Sequence, residues 1–494
     1  MISLNIYNNL FIKNTNILLI KFILKAIIYC YFNLQHMGVN QFMGKELNLT
    51  EGPIIKKLIA LSLPIMGTSF IQMAYNMIDM IWVGRVGSSA VAAVGTAGFF
   101  TWLAMAFVIV SKMGAEVKVA QSVGRQDYDG AKNYIKASVQ INVVLGIIYS
   151  LVMVLFRGPL IGFFNLGDAT VIHMAETYLV AIVFGLPFYF INPVFTSIFN
   201  ALGNSKMPFF VNTCGLIVNI ILDPILILGI GDFKGLGVLG AAIATVIAQV
   251  VVSALFIVNI LKSNHDFLKV NILKGVNFNH IRTICKIGLP TAFQSGLFTV
   301  FAMFLGRIVA VWGPVPIAVQ KVGSQIESIS WMTTEGLAIS LGAFVGQNFG
   351  AKKYHRIMDG YKAILGIALG VGIFASILLI FFGNYIFSIF IPEQNAIIQG
   401  TSYLKILGYS QIFMCIEITT SGIFNGVSKT YIPSLISIII TGARVPLAYV
   451  LSRPEILGID GVWWAVSITS ILKGIIIIIV LIRFYKTKKL FKDN

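Results

Sequence analysis

Four carboxylic acids lie inside long apolar runs of this chain: Asp79, Asp223, Glu327 and Glu417. An ionisable side chain at the centre of a membrane helix costs roughly 2.5–3.5 kcal/mol on insertion scales, so acids placed there need a reason. Tyr75 precedes Asp79 by one helical turn, and Asn219 precedes Asp223 by another, so each pair shares a helix face. Pro224 follows Asp223 and has no N–H to donate, which frees the carbonyl of Ile220. An amide oxygen, a carboxylate and a loose carbonyl within one turn form an oxygen-rich patch. Hard cations prefer such ligands, and a proton can use the same carboxylate. Thr245, in the run Gly240 to Thr245, can add a hydroxyl. These types and spacings point to a site for a hard cation or a proton at Asp79 and Asp223, to which Asn219 and Thr245 can add oxygens. The competing reading is structural, with Asp223 serving a neighbour or the backbone beside a proline kink.

The elements that must carry these residues are set by composition. The chain has 494 residues, 57% of them hydrophobic and only 11% charged, and a mean hydropathy of +0.87. A soluble domain carries roughly 25% charged residues. Helices satisfy their own backbone in a bilayer, and each span takes roughly 20 residues. The pattern predicts an all-α membrane protein with twelve spans, at 56–84, 90–118, 133–157, 171–202, 207–230, 236–261, 284–311, 316–346, 357–390, 397–426, 431–451 and 459–484. Lys and Arg crowd alternate connections: Lys56 and Lys57, Arg125 to Lys136, Lys206, Lys262 to Lys286, Lys352 to Arg356, Lys429 and the tail from Arg483. The other connections hold only Arg85, Arg157, Lys234, Arg307 and Arg453. The positive-inside rule then puts the rich set and both termini in the cytoplasm of a cell-membrane protein. The net charge of +17 is accordingly a solvated, lipid-facing fringe, not a nucleic-acid surface.

The chain also contains itself twice, at an offset of about 225 residues. Leu63-Pro64 returns as Leu289-Pro290, Gln121 and Gly124 as Gln347 and Gly350, Ile198-Phe199-Asn200 as Ile423-Phe424-Asn425, and Gly237 and Gly240 as Gly458 and Gly461. Each half has an even number of spans, so the halves are parallel repeats: two six-helix lobes related by a pseudo-twofold axis along the membrane normal. The expected organisation is an N-lobe over 43–261, a linker over 262–283, a C-lobe over 284–485 and a basic tail over 486–494. Residues 1–42 fall outside the repeat, and Gly44–Lys57 already reads as a complete entry to the first span. Translation is therefore expected to begin at Met37 or Met43.

The repeat shares its frame but not its charge. Asp79 maps onto Leu305 and Asp223 onto Arg444, so the ion site belongs to the N-lobe. Arg444 either neutralises a C-lobe acid, Glu417 first, or snorkels to the interface. Glu417, whose counterpart is Asn192, either attracts a cationic substrate or serves as a structural partner of Arg444. Glu327 is expected to face the interior, and Glu335 shares its span. Met and aromatic residues crowd spans 1, 2 and 8, where they either pack or line a yielding cavity for flat cations. The expected cavity residues are Met73, Tyr75, Asn192, Trp331 and Glu417.

Nothing points to catalysis. The five histidines are scattered, no HExxH or P-loop is present, and the four cysteines are far apart with no CxxC. Energy would come from an ion gradient, about 2.3 kcal/mol per charge per 100 mV plus the concentration term.

Several segments resemble the multidrug and toxic compound extrusion (MATE) transporters. They are Leu49 to Pro64, Asp79-Met-Ile-Trp-Val-Gly-Arg-Val-Gly, Gln121-Ser-Val-Gly124-Arg, Phe199 to Pro208, and the pairing of Leu222-Asp223-Pro224 with Gly235 to Thr245. The matches run from about 44 to 485. The resemblance implies export of organic cations and drugs in exchange for Na⁺ or H⁺, by two lobes rocking around a central cavity. It further implies that Asp79 and Asp223, with Asn219 and Thr245, form the N-lobe cation site. Members of one branch keep an acid in span 7, where this sequence offers Gln294. The expectation is a monomeric secondary antiporter with no cofactor beyond its coupling ion, acting on cationic or amphipathic small molecules among membrane lipids. One alternative is a lipid-linked oligosaccharide flippase, which needs a more basic cavity than Arg444 alone provides. A membrane-embedded transferase is the more distant alternative.

Overall fold

The computed structural model describes residues 46–492 except 165, 232, 273, 274 and 276. The expectations for residues 1–42 lie outside the described residues. In chain order the helices are α1 (Ile54–Gly84), α2 (Ser88–Gly124), α3 (Tyr128–Leu155), the short α4 (Arg157–Gly162), α5 (Ala169–Val183), α6 (Leu186–Ala201), α7 (Lys206–Leu228) and α8 (Val238–Lys262). They continue as α9 (Phe278–Ala310), α10 (Pro314–Gly350), α11 (Tyr354–Phe390), α12 (Gln394–Gly408), α13 (Gln411–Gly426), α14 (Tyr431–Leu451) and α15 (Asp460–Lys486). A two-strand hairpin, β1 (Gly229–Ile230) and β2 (Phe233–Lys234), joins α7 to α8. Polar caps start several helices: the Asp127 carboxylate accepts from Gly130 N at 2.8 Å, and Asp168 from Thr170 N at 2.7 Å.

Among the described residues, nine helices are long and apolar enough to cross a membrane, and α5 with α6 makes a tenth span bent by 52°. The pair α12 and α13, interrupted at Tyr409-Ser410, is the repeat counterpart of that bent span. The 37-residue α10 is the counterpart of α2 and carries Lys321, Glu327 and Glu335 among its apolar residues. These complete twelve spans. Spans four and ten were each expected as one continuous helix. Span four breaks just before Pro187, which has no N–H for the Val183 carbonyl, and span ten breaks after Gly408, which sits tight against Ile380. The linker is shorter than expected, running from 263 to 277, since α9 starts at Phe278 under the cap of Asn277.

Packing follows the pseudo-twofold axis. The contact of α1 with α7 is matched by α9 with α14, α1 with α10 by α9 with α2, α2 with α6 by α10 with α13, and α7 with α8 by α14 with α15. The helices α2 and α10 meet each other across the axis. The apolar core is not split cleanly between the halves. Leu58, Leu61 and Ile65 of α1 pack with Leu341, Phe344, Ile357 and Phe424 of the second half.

The lobes are clamped at the lysine-rich end. Gln121 of α2 donates to the carbonyl of Gly426 at the end of α13 at 2.8 Å, and Gln347 of α10 donates to the carbonyl of Ala201 at the end of α6 at 2.8 Å. These two bonds are images of each other under the repeat. Between them, Gly124 packs on the Gln347 carbonyl and Gly350 on the Gln121 carbonyl, so closely that neither position has room for a Cβ. The segment before α1 adds to the clamp: Leu49 N donates to Gln347 Oε1 at 3.2 Å, and Arg356 Nη2 donates to the carbonyls of Glu51 and Gly52 at 2.8 and 2.7 Å. Toward the opposite end, Trp102, Ile329 and Trp331 of α2 and α10 are exposed.

Candidate functional site

Asp79 stands on α1, five residues before its end, and Asn219 and Asp223 stand on the adjoining α7. Asn219 and Asp223 are fully buried, and Asn219 Nδ2 donates to Asp223 Oδ1 at 2.9 Å, the i to i+4 pairing that the helix imposes. The two carboxylates lie within electrostatic reach of each other. Tyr75, one turn before Asp79, brings its hydroxyl beside both acids and next to the Thr245 hydroxyl of α8, without a well-aligned bond to it. Tyr178 of α5 closes the cluster, near Asp79 and Asp223.

Five atoms of this cluster are buried without a hydrogen-bond partner among the described residues: Tyr75 Oη, Asp79 Oδ1, Asn219 Oδ1, Asp223 Oδ2 and Thr245 Oγ1. Leaving one buried polar group unpaired costs about 1–3 kcal/mol, and native folds keep few of them. Five oxygens gathered at one junction of α1, α7 and α8 are the donor set of a site that binds something positive. All are hard ligands and two belong to carboxyl groups, which suits an alkali cation or a proton and not a thiolate-loving metal.

A cavity of about 100 Å³ opens next to this cluster, lined among others by Gln72, Lys112, Glu116, Asn192, Asn212 and Gln249. A smaller one of about 20 Å³, lined by Thr68, Gln72, Tyr75, Asn212 and Gln249, joins it to Tyr75. Asn192 thus lines a cavity as expected, but its amide is already engaged: Nδ2 donates to Gln249 Oε1 at 2.8 Å, and Oδ1 accepts from Ser253 Oγ at 2.6 Å. Tyr75 belongs to the acid cluster more than to an open cavity. Met73 is half-buried and Trp331 is 39% exposed, and neither lines these two cavities.

The C-lobe is wired differently. Arg444 is 6% exposed and donates through Nε to Thr469 Oγ1 at 2.8 Å and through Nη2 to Ser470 Oγ at 3.3 Å, so it does not snorkel. Its nearest acid is Glu327, with Glu417 second. Glu417 takes Lys473 of α15 as its direct partner, at 3.4 Å, with both side chains 11% exposed. Glu417, read from sequence as attracting a cationic substrate, carrying a proton or partnering Arg444, is held here by Lys473, a buried base 56 residues along that no local pattern pairs with it, with Arg444 within electrostatic reach. Glu327 does face the interior, accepting from Gln411 Nε2 at 3.1 Å, while Gln411 Oε1 accepts from Ser330 Oγ at 2.7 Å. Two buried acids therefore face two buried bases. Where the N-lobe cluster is short of positive charge, the C-lobe cluster is balanced.

Sequence reasoning passed over Tyr178, Lys473, Lys112 and Glu116. Tyr178 and Lys473 carry no local signal, because their partners come from other helices. Lys112 and Glu116 did carry one: an ionisable residue inside an apolar run is what singled out the other acids.

The MatE family model matches this chain twice, at residues 64–225 and 290–450, once in each lobe. The "Probable multidrug resistance protein NorM" of Thermotoga maritima is 26% identical over 411 residues, covering 83% of this chain and 88% of that protein. The "Multidrug export protein MepA" of Staphylococcus aureus is 24% identical over 423 residues, covering 85% and 92%. Among solved structures, a MOP superfamily transporter from Pyrococcus furiosus described as having a binding pocket of reverse polarity superposes with a TM-score of 0.82 at 24% identity, covering 91% of this chain and all of that one. An outward-facing multidrug resistance MATE family transporter superposes with a TM-score of 0.81 at 23% identity over 91% of this chain. The duplicated six-span lobes and a family match falling once on each lobe lead to one conclusion: this chain is a member of the MATE family of membrane transporters.

Proposed function

We propose that this protein is a secondary antiporter that exports cationic and amphipathic organic molecules in exchange for Na⁺ or H⁺ bound by Asp79, Asp223, Asn219 and Thr245. The observation that carries the reading is the five orphaned oxygens at the α1, α7 and α8 junction, present in one lobe of a duplicated bundle and replaced by a charge-balanced cluster in the other. The similar proteins named for multidrug export support the substrate class. The lysine-rich end belongs in the cytoplasm by the distribution of basic residues. The clamp formed by Gln121 and Gln347 then closes the cytoplasmic side.

In this reading a cation entering from outside neutralises the two carboxylates. Its affinity differs between the two lobe arrangements, which is the only way a ligand can shift that equilibrium. Rearrangement of α1 and α7 near Pro64 and Pro224, both inside these helices, narrows the cavity and expels substrate outward; cation release to the cytoplasm resets the lobes. The test is ethidium efflux from proteoliposomes under separately imposed Na⁺ and pH gradients. One of the two gradients is expected to drive efflux, and Asp79→Asn and Asp223→Asn each to abolish that drive. Gradient-driven efflux at the wild-type rate in both variants refutes the mechanism.

A further inference from the structure

We infer that Glu116, with Lys112 beside it, is a second station for the coupling cation, on the cytoplasmic side of the Asp79–Asp223 site. The inference rests on the reading that Asp79 and Asp223 bind that cation. Glu116 stands on α2 at the seam between the lobes, eight residues or about 12 Å of helix before the lysine-rich end at Gly124. It is 6% exposed, lines the 100 Å³ cavity, and has no hydrogen-bond or ion-pair partner among the described residues. Across the seam, α10 presents Gly342, where even a Cβ would lie 3.6 Å from Glu116 Oε1.

The charges that act on Glu116 are Lys112, one turn earlier on α2, and Glu335 on α10. Lys112 lies near Glu335 as well. Two acids and one base leave this inter-lobe cluster one positive charge short, in the part of the bundle where a lone charge is costly. The rest of the cavity wall is uncharged but polar: Thr68, Ser69, Gln72, Asn200, Asn212 and Gln249. The smaller cavity shares Thr68, Gln72, Asn212 and Gln249 with it and ends at Tyr75, whose hydroxyl belongs to the acid cluster. Gln72 lies seven residues before Asp79, about 10 Å nearer the lysine-rich end. A line of oxygen ligands thus descends from Asp79 and Asp223 through Tyr75 and the amides to Glu116. A cation released from the outer site meets its next carboxylate there, at the seam that must part for it to reach the cytoplasm.

The test uses the full chain in proteoliposomes, with ethidium as the exported probe and Na⁺ or H⁺ as the driving cation. Glu116→Gln is expected to slow gradient-driven efflux by about 10²-fold, while Glu116→Asp restores most of it. Lys112→Gln leaves two acids uncompensated, so the driving cation added at the lysine-rich side should inhibit efflux at an at least about fivefold lower concentration. This gain does not depend on how well Glu116→Gln folds. Wild-type efflux in Glu116→Gln, or unchanged inhibition in Lys112→Gln, overturns the inference. Asp79→Asn serves as the control: if it too exports normally, the antiport reading has failed, whereas an inactive Asp79→Asn beside an active Glu116→Gln removes only the second station.

Discussion

Replacing Gln347 by Leu should loosen the clamp at the lysine-rich end. In the closed arrangement this substitution strips the Ala201 carbonyl of its donor at 2.8 Å and the Leu49 amide of its acceptor at 3.2 Å. A net hydrogen bond contributes about 0.5–1.5 kcal/mol, and a buried group left unpaired costs about 1–3 kcal/mol. Parting of the lobes lets water reach both groups, so the penalty falls on the closed state alone. A cost near 1.5 kcal/mol moves the equilibrium toward opening at this end about tenfold. Gln121→Leu removes the image bond to Gly426 and also one to Ser428 Oγ at 2.9 Å, so it should shift the equilibrium by a similar factor. The double variant should then shift it by about the product if the two sites act independently. Spin labels at Asp129 and His355, exposed first-turn positions of α3 and α11 related by the repeat, report the separation of the lobes there. Wild type should give one short distance population, and the variants a growing longer one. An unchanged distance distribution in the folded double variant would refute the claim that these bonds hold the closed state.

Two further predictions follow from the clusters. Asn219→Ala removes one of the five orphaned oxygens and the bond that orients Asp223, so binding of the coupling cation, measured by calorimetry, should weaken about 10- to 100-fold with the fold intact. Lys473→Met leaves Glu417 buried and unpaired and should destabilise by about 3–5 kcal/mol in thermal unfolding, while Lys473→Met with Glu417→Leu recovers most of that loss. A double variant as unstable as the single would mean that the pair does not act as a unit.

The acids were legible because each stands out against an apolar helix, and Asn219 was legible as the partner of Asp223 because helix pitch alone brings i and i+4 together. The repeat was legible down to Gln121 and Gln347, though only as marks of duplication. That each reaches into the opposite lobe depends on how closely α2 and α10 cross, which Gly124 and Gly350 permit and no local pattern states. Lys473 went unseen as a partner of Glu417 for the same reason: only the rotation of α14 and α15 brings its ammonium to that carboxylate, with Arg444 within electrostatic reach of it as well. The break in span four was written in the sequence as Pro187 and was passed over, whereas the break in span ten has no proline and lies where Gly408 backs onto Ile380 of a neighbouring helix.

The amino-acid sequence by itself determined that this chain lives in a bilayer as two copies of a six-span unit and that only the first copy carries aspartates at the positions of Asp79 and Asp223. Those properties follow from local hydropathy, helix pitch and the need of every span to satisfy its own backbone in lipid. Tertiary structure alone decided which side chains meet between helices: Tyr178 with the two aspartates, Lys473 with Glu417, and Glu116 with Glu335 across the seam. Those meetings depend on crossing angle and axial rotation. Both are set by small contributions from packing along whole helices, which no single motif reveals.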